Sequence, residues 1–347
     1  MKIQHVVVTD TRQVELQAAE LDETLAPDEF LVRTERTFIS AGTELANYTG
    51  KEPAVYQKGS WCAYPWRSGY ANVGVVEAIG TAVSRVAAGQ RVLTFANHAS
   101  HAKVSQNLFA AAVPDGMDSG AAAASRMAGV ATAAMVMADR SQHQPVVLVF
   151  GLGMVGNLAA QSFRILGAKV VGVDPLPARR RLAERCGIAN TLPGGELAAL
   201  KQELLRLAGV EQADICIEAT GLTPVLLQAL ALTVDVGQLI LLGSPRVPVE
   251  GNLTAAFSDI HCRNIIVRGA LEWCLPVYPT KNIWGGRTLP LLSLWDKQRM
   301  IFDWMADGRL FVEPLISHRL PPTRIKDAYE GLLTSPETFT GVVLDWA

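Results

Sequence analysis

Charge is scarce in this chain. Aspartate, glutamate, lysine and arginine make up 18% of its 347 residues, against about 25% in ordinary soluble proteins. The net charge is only -2, and the densest basic cluster is Arg179-Arg180-Arg181. Such a run is too short to follow a phosphate backbone or to hold an anionic bilayer, so neither nucleic acid nor membrane is expected as a partner. Cysteine is sparse as well. The five residues Cys62, Cys186, Cys216, Cys262 and Cys274 are scattered without C-x-x-C spacing. That excludes a local cysteine zinc cluster, and with no disulfide framework in view a cytoplasmic location is expected. Long apolar runs are missing too. The longest small-residue stretch, Met127 to Ala138, falls short of the roughly 20 residues of a bilayer span and reads as a buried helix. Met1-Lys2-Ile3-Gln4-His5 reads as the start of a strand, not as a secretion signal.

What is abundant is apolar: hydrophobic residues make up 49%, which implies a filled interior and a buried subunit interface. The length suits two domains. Residues 1–117 read as mostly β, with short alternating strands such as Lys2–Thr9, Phe30–Phe38 and Val73–Ile79 between Gly, Pro and Asp turns. From 118 to 269 strands and helices alternate as in a parallel sheet. The expected strands are 146–150, 169–173, 189–192, Asp214–Glu218, Gln238–Leu242 and Asn264–Gly269, six in all, with helices over 154–167, 177–186, 196–208 and 224–232. Residues 270–347 return to mixed character and are expected to complete the first domain. They carry a helix over Leu291 to Asp307, a segment Pro314–Arg319, a helix Ile325–Leu333 and a last strand Gly341–Trp346.

The second domain carries the clearest chemistry. The run Val146-Val147-Leu148-Val149-Phe150 ends directly in Gly151-Leu152-Gly153-Met154-Val155-Gly156, a G-x-G-x-x-G at a strand-to-helix turn. Gly151 permits the tight turn, Gly153 lets a pyrophosphate approach the backbone, and Gly156 lets helix and strand pack closely. Met154 and Val155 open the helix whose free N–H groups face the phosphates. A second strand, Lys169–Val173, ends at Asp174, at the spacing of about 20 residues expected for an acid that binds ribose hydroxyls. Asp174 favours NAD because a carboxylate there repels a 2′-phosphate. Arg179, five residues on, keeps NADP open. Thr220, Gly243 and Ser244 lie at the C-terminal ends of later strands, where the nicotinamide half is expected.

Across its whole length the sequence resembles the medium-chain dehydrogenase/reductase superfamily, the alcohol-dehydrogenase-like enzymes. The resemblance rests on Ile39-Ser40-Ala41-Gly42-Thr43-Glu44, Gly69-Tyr70-Ala71-Asn72-Val73-Gly74-Val75-Val76, Ala88-Gly89-Gln90-Arg91-Val92, the glycine turn and Gly341-Val342-Val343-Leu344-Asp345-Trp346. It implies an α/β chain with a GroES-like, mostly β catalytic domain and a doubly wound Rossmann domain, assembled as a homodimer or homotetramer. The departures bear on mechanism. Zinc-dependent members have a cysteine where this chain has Ala41, and Gly-His-Glu where it has Gly69-Tyr70-Ala71. Residues 119–138 contain no Cys, His or Glu for a third ligand, and the four-cysteine structural lobe is missing. A catalytic zinc needs about three such ligands, so no zinc is expected.

Without a metal, another group must handle the proton of the reacting oxygen. Tyr70, at a metal-ligand position, is the first candidate, as a phenol with a shifted pKa or as mere filler of the zinc space. Thr43 matches the hydroxyl that relays the proton in zinc members, or bonds as a turn residue. Glu44 is expected to orient its neighbours. His98, in Asn97-His98-Ala99-Ser100-His101, follows a strand that lines the cleft in the family and is a candidate substrate contact or proton shuttle. Trp66 and Arg67, after Trp61, and Trp284 in Trp284-Gly285-Gly286-Arg287 suit a small polar substrate by stacking and charge. The resulting expectation is a zinc-independent NAD-linked oxidoreductase acting on an alcohol or carbonyl of a polyol or sugar. The alternatives are an NADPH-dependent quinone or enone reductase, and a dinucleotide-binding protein without catalytic activity.

Overall fold

The computed structural model describes residues 1–139, 144–279 and 292–347. The chain divides into two compact units. One comprises Met1–Arg126, Leu275–Ala306 and Leu315–Ala347; the other comprises Met127–Cys274 and Asp307–Pro314.

The chain opens with the hairpin β1 (Lys2–Asp10) and β2 (Gln13–Glu20), followed by β3 (Glu29–Phe38), α1 (Ala41–Tyr48), β4 (Trp66–Arg67), β5 (Asn72–Ile79), β6 (Arg91–Thr94), β7 (His101–Ser105) and β8 (Ala110–Ala112). Strands β2, β1 and β4 form one small sheet. In the larger sheet β5 lies between β3 and β6, both antiparallel to it, with Thr37 opposite Asn72 and Asn72 opposite Thr94. This register has a chemical consequence. The residues leaving β3, those entering β5 and those leaving β6 all meet at one end of the sheet. Helix α2 (Ser119–Met137) follows. It has the length and composition to cross a membrane, unlike the shorter apolar run read from sequence, yet 83% of its apolar window is buried, as in a core helix.

The second unit alternates β9 (Val146–Phe150), α3 (Met154–Ile165), β10 (Lys169–Val173), α4 (Pro177–Arg185), β11 (Asn190–Leu192), α5 (Leu197–Ala208), β12 (Ala213–Glu218), α6 (Thr223–Ala231), β13 (Thr233–Leu241), α7 (Leu253–Cys262) and β14 (Ile266–Gly269). Its parallel sheet has the order β11-β10-β9-β12-β13-β14, a doubly wound Rossmann arrangement whose strand order reverses at β9. Every residue of β9 is buried, as a central parallel strand covered on both faces requires. Each such Val or Leu contributes about 1.5–3 kcal/mol on burial. Helix α7 was not expected from sequence. None of its residues is fully buried, and only Ala256 and Ile260 pack against the core of the unit, a short stripe that the surrounding polar residues obscure. The chain then returns to the first unit through α8 (Leu294–Ala306), β15 (His318–Leu320), α9 (Ile325–Thr334) and β16 (Val342–Asp345), with β16 pairing antiparallel to β3.

Candidate functional site

The turn from β9 into α3 is made by its glycines, each for its own reason. Gly151 has φ +88, a left-handed conformation open to glycine at little strain. A Cβ on Gly156 would lie 1.8 Å from the Gly151 carbonyl oxygen, so only glycine lets the first turn of α3 pack there. Gly153 differs. Its φ is an ordinary -65, it is the N-cap residue of α3, and it has no side chain to cap the helix. A Cβ there would have nothing nearer than the Arg179 guanidinium at 3.9 Å. The fold therefore does not require glycine at 153, whereas a ligand resting on the free N–H groups of Met154, Val155 and Gly156 would. Asp174, 1% exposed, follows β10. Its carboxylate accepts the Leu152 N–H at 2.8 Å and the Leu176 N–H at 2.9 Å, with Arg179 3.5 Å away. The buried Nε of Arg179 has no hydrogen-bond partner. An open glycine, free helix N–H groups and an unsatisfied guanidinium N–H fit the anionic backbone of a dinucleotide.

At the end of β12 a carboxylate that sequence reasoning overlooked organises the next loop. Glu218, 1% exposed, accepts the Thr220 N–H at 2.6 Å, the Gly221 N–H at 3.0 Å and the Thr220 hydroxyl. Thr220 is thereby fixed, and its methyl group lies 2.8 Å from where a Gly151 Cβ would stand. Gly243 and Ser244, which follow β13, press against Gly221. The glycine turn, Thr220 and Gly243–Ser244 thus lie close together in the second unit.

The convergence at one end of the β unit is built from side chains instead. Ser40 is the N-cap of α1 but makes no side-chain cap. Glu44 reaches back and accepts the Ser40 N–H at 2.7 Å, which releases the Ser40 hydroxyl to share a hydrogen bond with the Tyr70 phenol. Gly69, at φ +93, sets Tyr70 in this position, and a Cβ there would lie 2.7 Å from the His98 ring. Tyr70 is half-buried. Its pKa lies above the ordinary phenol value: burial raises it most, Arg126 and the hydroxyls of Ser40 and Thr43 pull it part of the way back, and Glu44 adds to the rise. Below lies a fully buried cluster. The Glu44 carboxylate accepts from Tyr329 at 2.6 Å and contacts His98 Nε2 at 3.0 Å, all three side chains being 0% exposed. Burial, then the charge of Glu44, raises the Tyr329 phenol well above the ordinary value.

Several sequence expectations need correction here. His98 was a candidate substrate contact or shuttle; it is completely buried, and its ring is committed to Glu44. Trp66 was a candidate substrate platform; it is 9% exposed, packed with Val6, Val8 and Cys62, and edge-on to Trp61 at 6.1 Å. Arg67 is exposed on β4. Trp284 lies outside the described residues. Tyr70 and Thr43 do come together, with Ser40 as an unforeseen third hydroxyl. Arg126 in α2 was missed entirely. It is 1% exposed, and its guanidinium carbon sits 5.2 Å from the Tyr70 ring centroid and 4.3 Å from that of Phe95. The signal was in the sequence: it is the sole charged residue in 119–138, and a charge in an apolar helix calls for a reason. Hydroxyls beside a guanidinium do not fit a zinc ion, which takes thiolate, imidazole or carboxylate ligands. Among the described residues no group of three or more His, Cys, Asp or Glu side chains is placed to hold a metal.

Residues 154–276 match the family described as zinc-binding dehydrogenase. That segment excludes Ala41, Tyr70 and Arg126. S-(hydroxymethyl)glutathione dehydrogenase of Paracoccus denitrificans is 26% identical over 204 residues, covering 57% of this chain and 49% of that protein. This chain thus aligns with about half the length of that curated relative. Among solved structures, galactitol-1-phosphate dehydrogenase from Escherichia coli superposes with a TM-score of 0.79 at 19% identity, covering 99% of each chain. L-idonate 5-dehydrogenase from the same species gives 0.76 at 17% identity, covering 99% of this chain and 98% of the other.

Proposed function

We propose that this chain, which has the fold and the dinucleotide half of the medium-chain dehydrogenase/reductase superfamily, is an NAD(P)-dependent dehydrogenase. In this reading it interconverts an alcohol and a carbonyl on a small polar substrate of polyol or sugar type, without zinc. The observation that carries the reading is Gly153 at the N-terminus of α3, a glycine where the fold itself would accept a side chain. The backbone of Gly151, Gly153, Met154, Val155 and Gly156 would hold the pyrophosphate. Asp174, with Arg179 beside it, would meet the adenosine ribose, and its negative charge favours NAD over NADP.

Oxidising an alcohol to a carbonyl removes a hydride and a proton. NAD(P), when bound, supplies the hydride acceptor. The proton falls to the chain's own residues: Tyr70 takes it, and the hydrogen bond to Ser40 leads it onward, with Thr43 alongside. In the reverse direction the Tyr70 phenol donates. General acid–base action of this kind contributes about 10²–10⁴-fold to rate. Zinc independence is supported by the hydroxyl and guanidinium donor set around Tyr70. The polyol reading is supported by the activities of the structural relatives. Self-association is supported by β14, an edge strand with all four residues exposed, which leaves its outer edge open to a second copy.

The test is a spectrophotometric screen on chelator-treated protein. NAD and NADP reduction would be followed with galactitol 1-phosphate, L-idonate and simple polyols, and NADH and NADPH oxidation with enones and quinones. Turnover of a polyol despite the chelator is the expected result. Activity that vanishes with chelator and returns with zinc overturns zinc independence. Turnover of enones alone, with NADPH, overturns the alcohol–carbonyl assignment.

A further inference from the structure

We propose that Arg126 is a positioning residue for proton transfer at Tyr70, a fixed positive charge built into α2 to accommodate the phenolate form. The inference rests on the reading of Tyr70 as the proton-transfer group and goes beyond it by naming what makes that phenol usable.

The geometry begins with where the charge sits. Arg126 is among the largest fully buried side chains of the protein, in a helix otherwise made of Ala, Gly, Ser, Thr, Val and Met. Burying a guanidinium in such surroundings is expensive unless something gains from it. Its guanidinium carbon lies over the Phe95 ring, 4.3 Å from the centroid, and Phe95 itself stacks on Phe109 at 4.2 Å and an interplanar angle of 5°. It also lies over the Tyr70 ring, 5.2 Å from the centroid, within cation–π range. An arginine cannot deprotonate in a protein, so this charge is present at every working pH.

The groups facing Tyr70 divide by sign. From α1 and its cap come the hydroxyls of Ser40 and Thr43 and the carboxylate of Glu44; from α2 comes Arg126. Glu44 opposes ionisation of the phenol, but its carboxylate is occupied by the Ser40 N–H, His98 and Tyr329. Ser40 anchors the phenolic oxygen. Arg126 is the largest influence acting against the cost of burial. When Tyr70 gives its proton to a carbonyl, or waits to receive one from an alcohol, the negative charge left on its oxygen has a permanent partner across the ring. With that partner in place the phenol still lies above its ordinary pKa; without it the phenol would lie higher still, and the phenolate that either role passes through would be harder to form.

The test needs no cofactor. Tyrosinate absorbance is titrated with pH in wild type, Arg126→Met and Arg126→Lys, and again in each of the three with Tyr70→Phe added, so that subtraction isolates Tyr70. Arg126→Met is expected to raise the Tyr70 midpoint by about one pH unit or more, a tenfold change in its ionisation constant. Arg126→Lys is expected to restore most of the shift. With galactitol 1-phosphate or L-idonate as probe, Arg126→Met is expected to lower kcat about 10–100-fold at pH 7 with little change in KM, and to recover as pH rises. An unchanged Tyr70 midpoint in Arg126→Met, with Tyr70→Phe inactive, overturns the role of Arg126 and leaves that of Tyr70 standing. Full turnover in Tyr70→Phe overturns the reading of Tyr70 itself. Should Arg126→Met fail to fold, Arg126→Gln keeps a polar side chain and carries the same comparison.

Discussion

Two buried carboxylates organise the two halves of this molecule, and they are satisfied in opposite ways. Asp174, in the dinucleotide unit, is held by main-chain N–H groups of Leu152 and Leu176. Glu44, in the β unit, is held by the side chains of His98 and Tyr329 with a single main-chain donor. The first arrangement depends on backbone shape, hence on glycine. The second depends on which side chains stand where, hence on residue identity at positions far apart in sequence. A site of backbone can keep one task while its lining changes. A site of side chains can change its chemistry by a few substitutions.

The contrast can be broken most severely at Gly156. Gly156→Ala puts a methyl group on the Gly151 carbonyl and is expected to cost about 3 kcal/mol, read as a lower urea midpoint for the dinucleotide unit. Next in size comes the same change made to both carboxylates. Glu44→Gln leaves a donor facing a donor among side chains that are 0% exposed and should cost about 1–3 kcal/mol. Asp174→Asn should cost about 1 kcal/mol or less, because the Leu176 N–H is only partly buried and can turn to water. Equal losses in denaturation would erase the distinction drawn here. A smaller effect is expected from pH. Because the Tyr329 pKa is raised in the folded state, its contribution is fully present below the unfolded value of about 10 and fades as pH climbs toward the raised one. Tyr329→Phe should therefore show a shallower stability loss in that alkaline range than wild type. The smallest stability change belongs to Gly153→Ala: within about 0.5 kcal/mol of wild type, yet at least about tenfold weaker for NAD by calorimetry.

The same division explains what could be read in advance. The parallel strands, the glycine turn and Asp174 are contiguous patterns whose periodicity and spacing reflect the backbone directly, and they stand close to where they were expected. Ser40 as partner of Tyr70 and the burial of His98 arise from register between strands distant in sequence. Thr37 opposite Asn72 is a fact of pairing that no local window contains. Trp66 misled because an aromatic beside an arginine suits a binding loop and a core equally well; only its neighbours Val6, Val8 and Cys62 decide. Glu218 was hidden for another reason: its partners lie within three residues of it, but nothing in composition marks a carboxylate that will fold back on its own loop.

Gly153 has a meaning that reaches past this one chain. Since its backbone angle is ordinary and the space above it empty, selection for folding alone would let an alanine or serine drift in there, while Gly151 and Gly156 stayed fixed. The position is a ledger of use. A descendant that keeps the outer two glycines and fills the middle one would be a scaffold that has outlived its coenzyme, and its history could be told from a single codon.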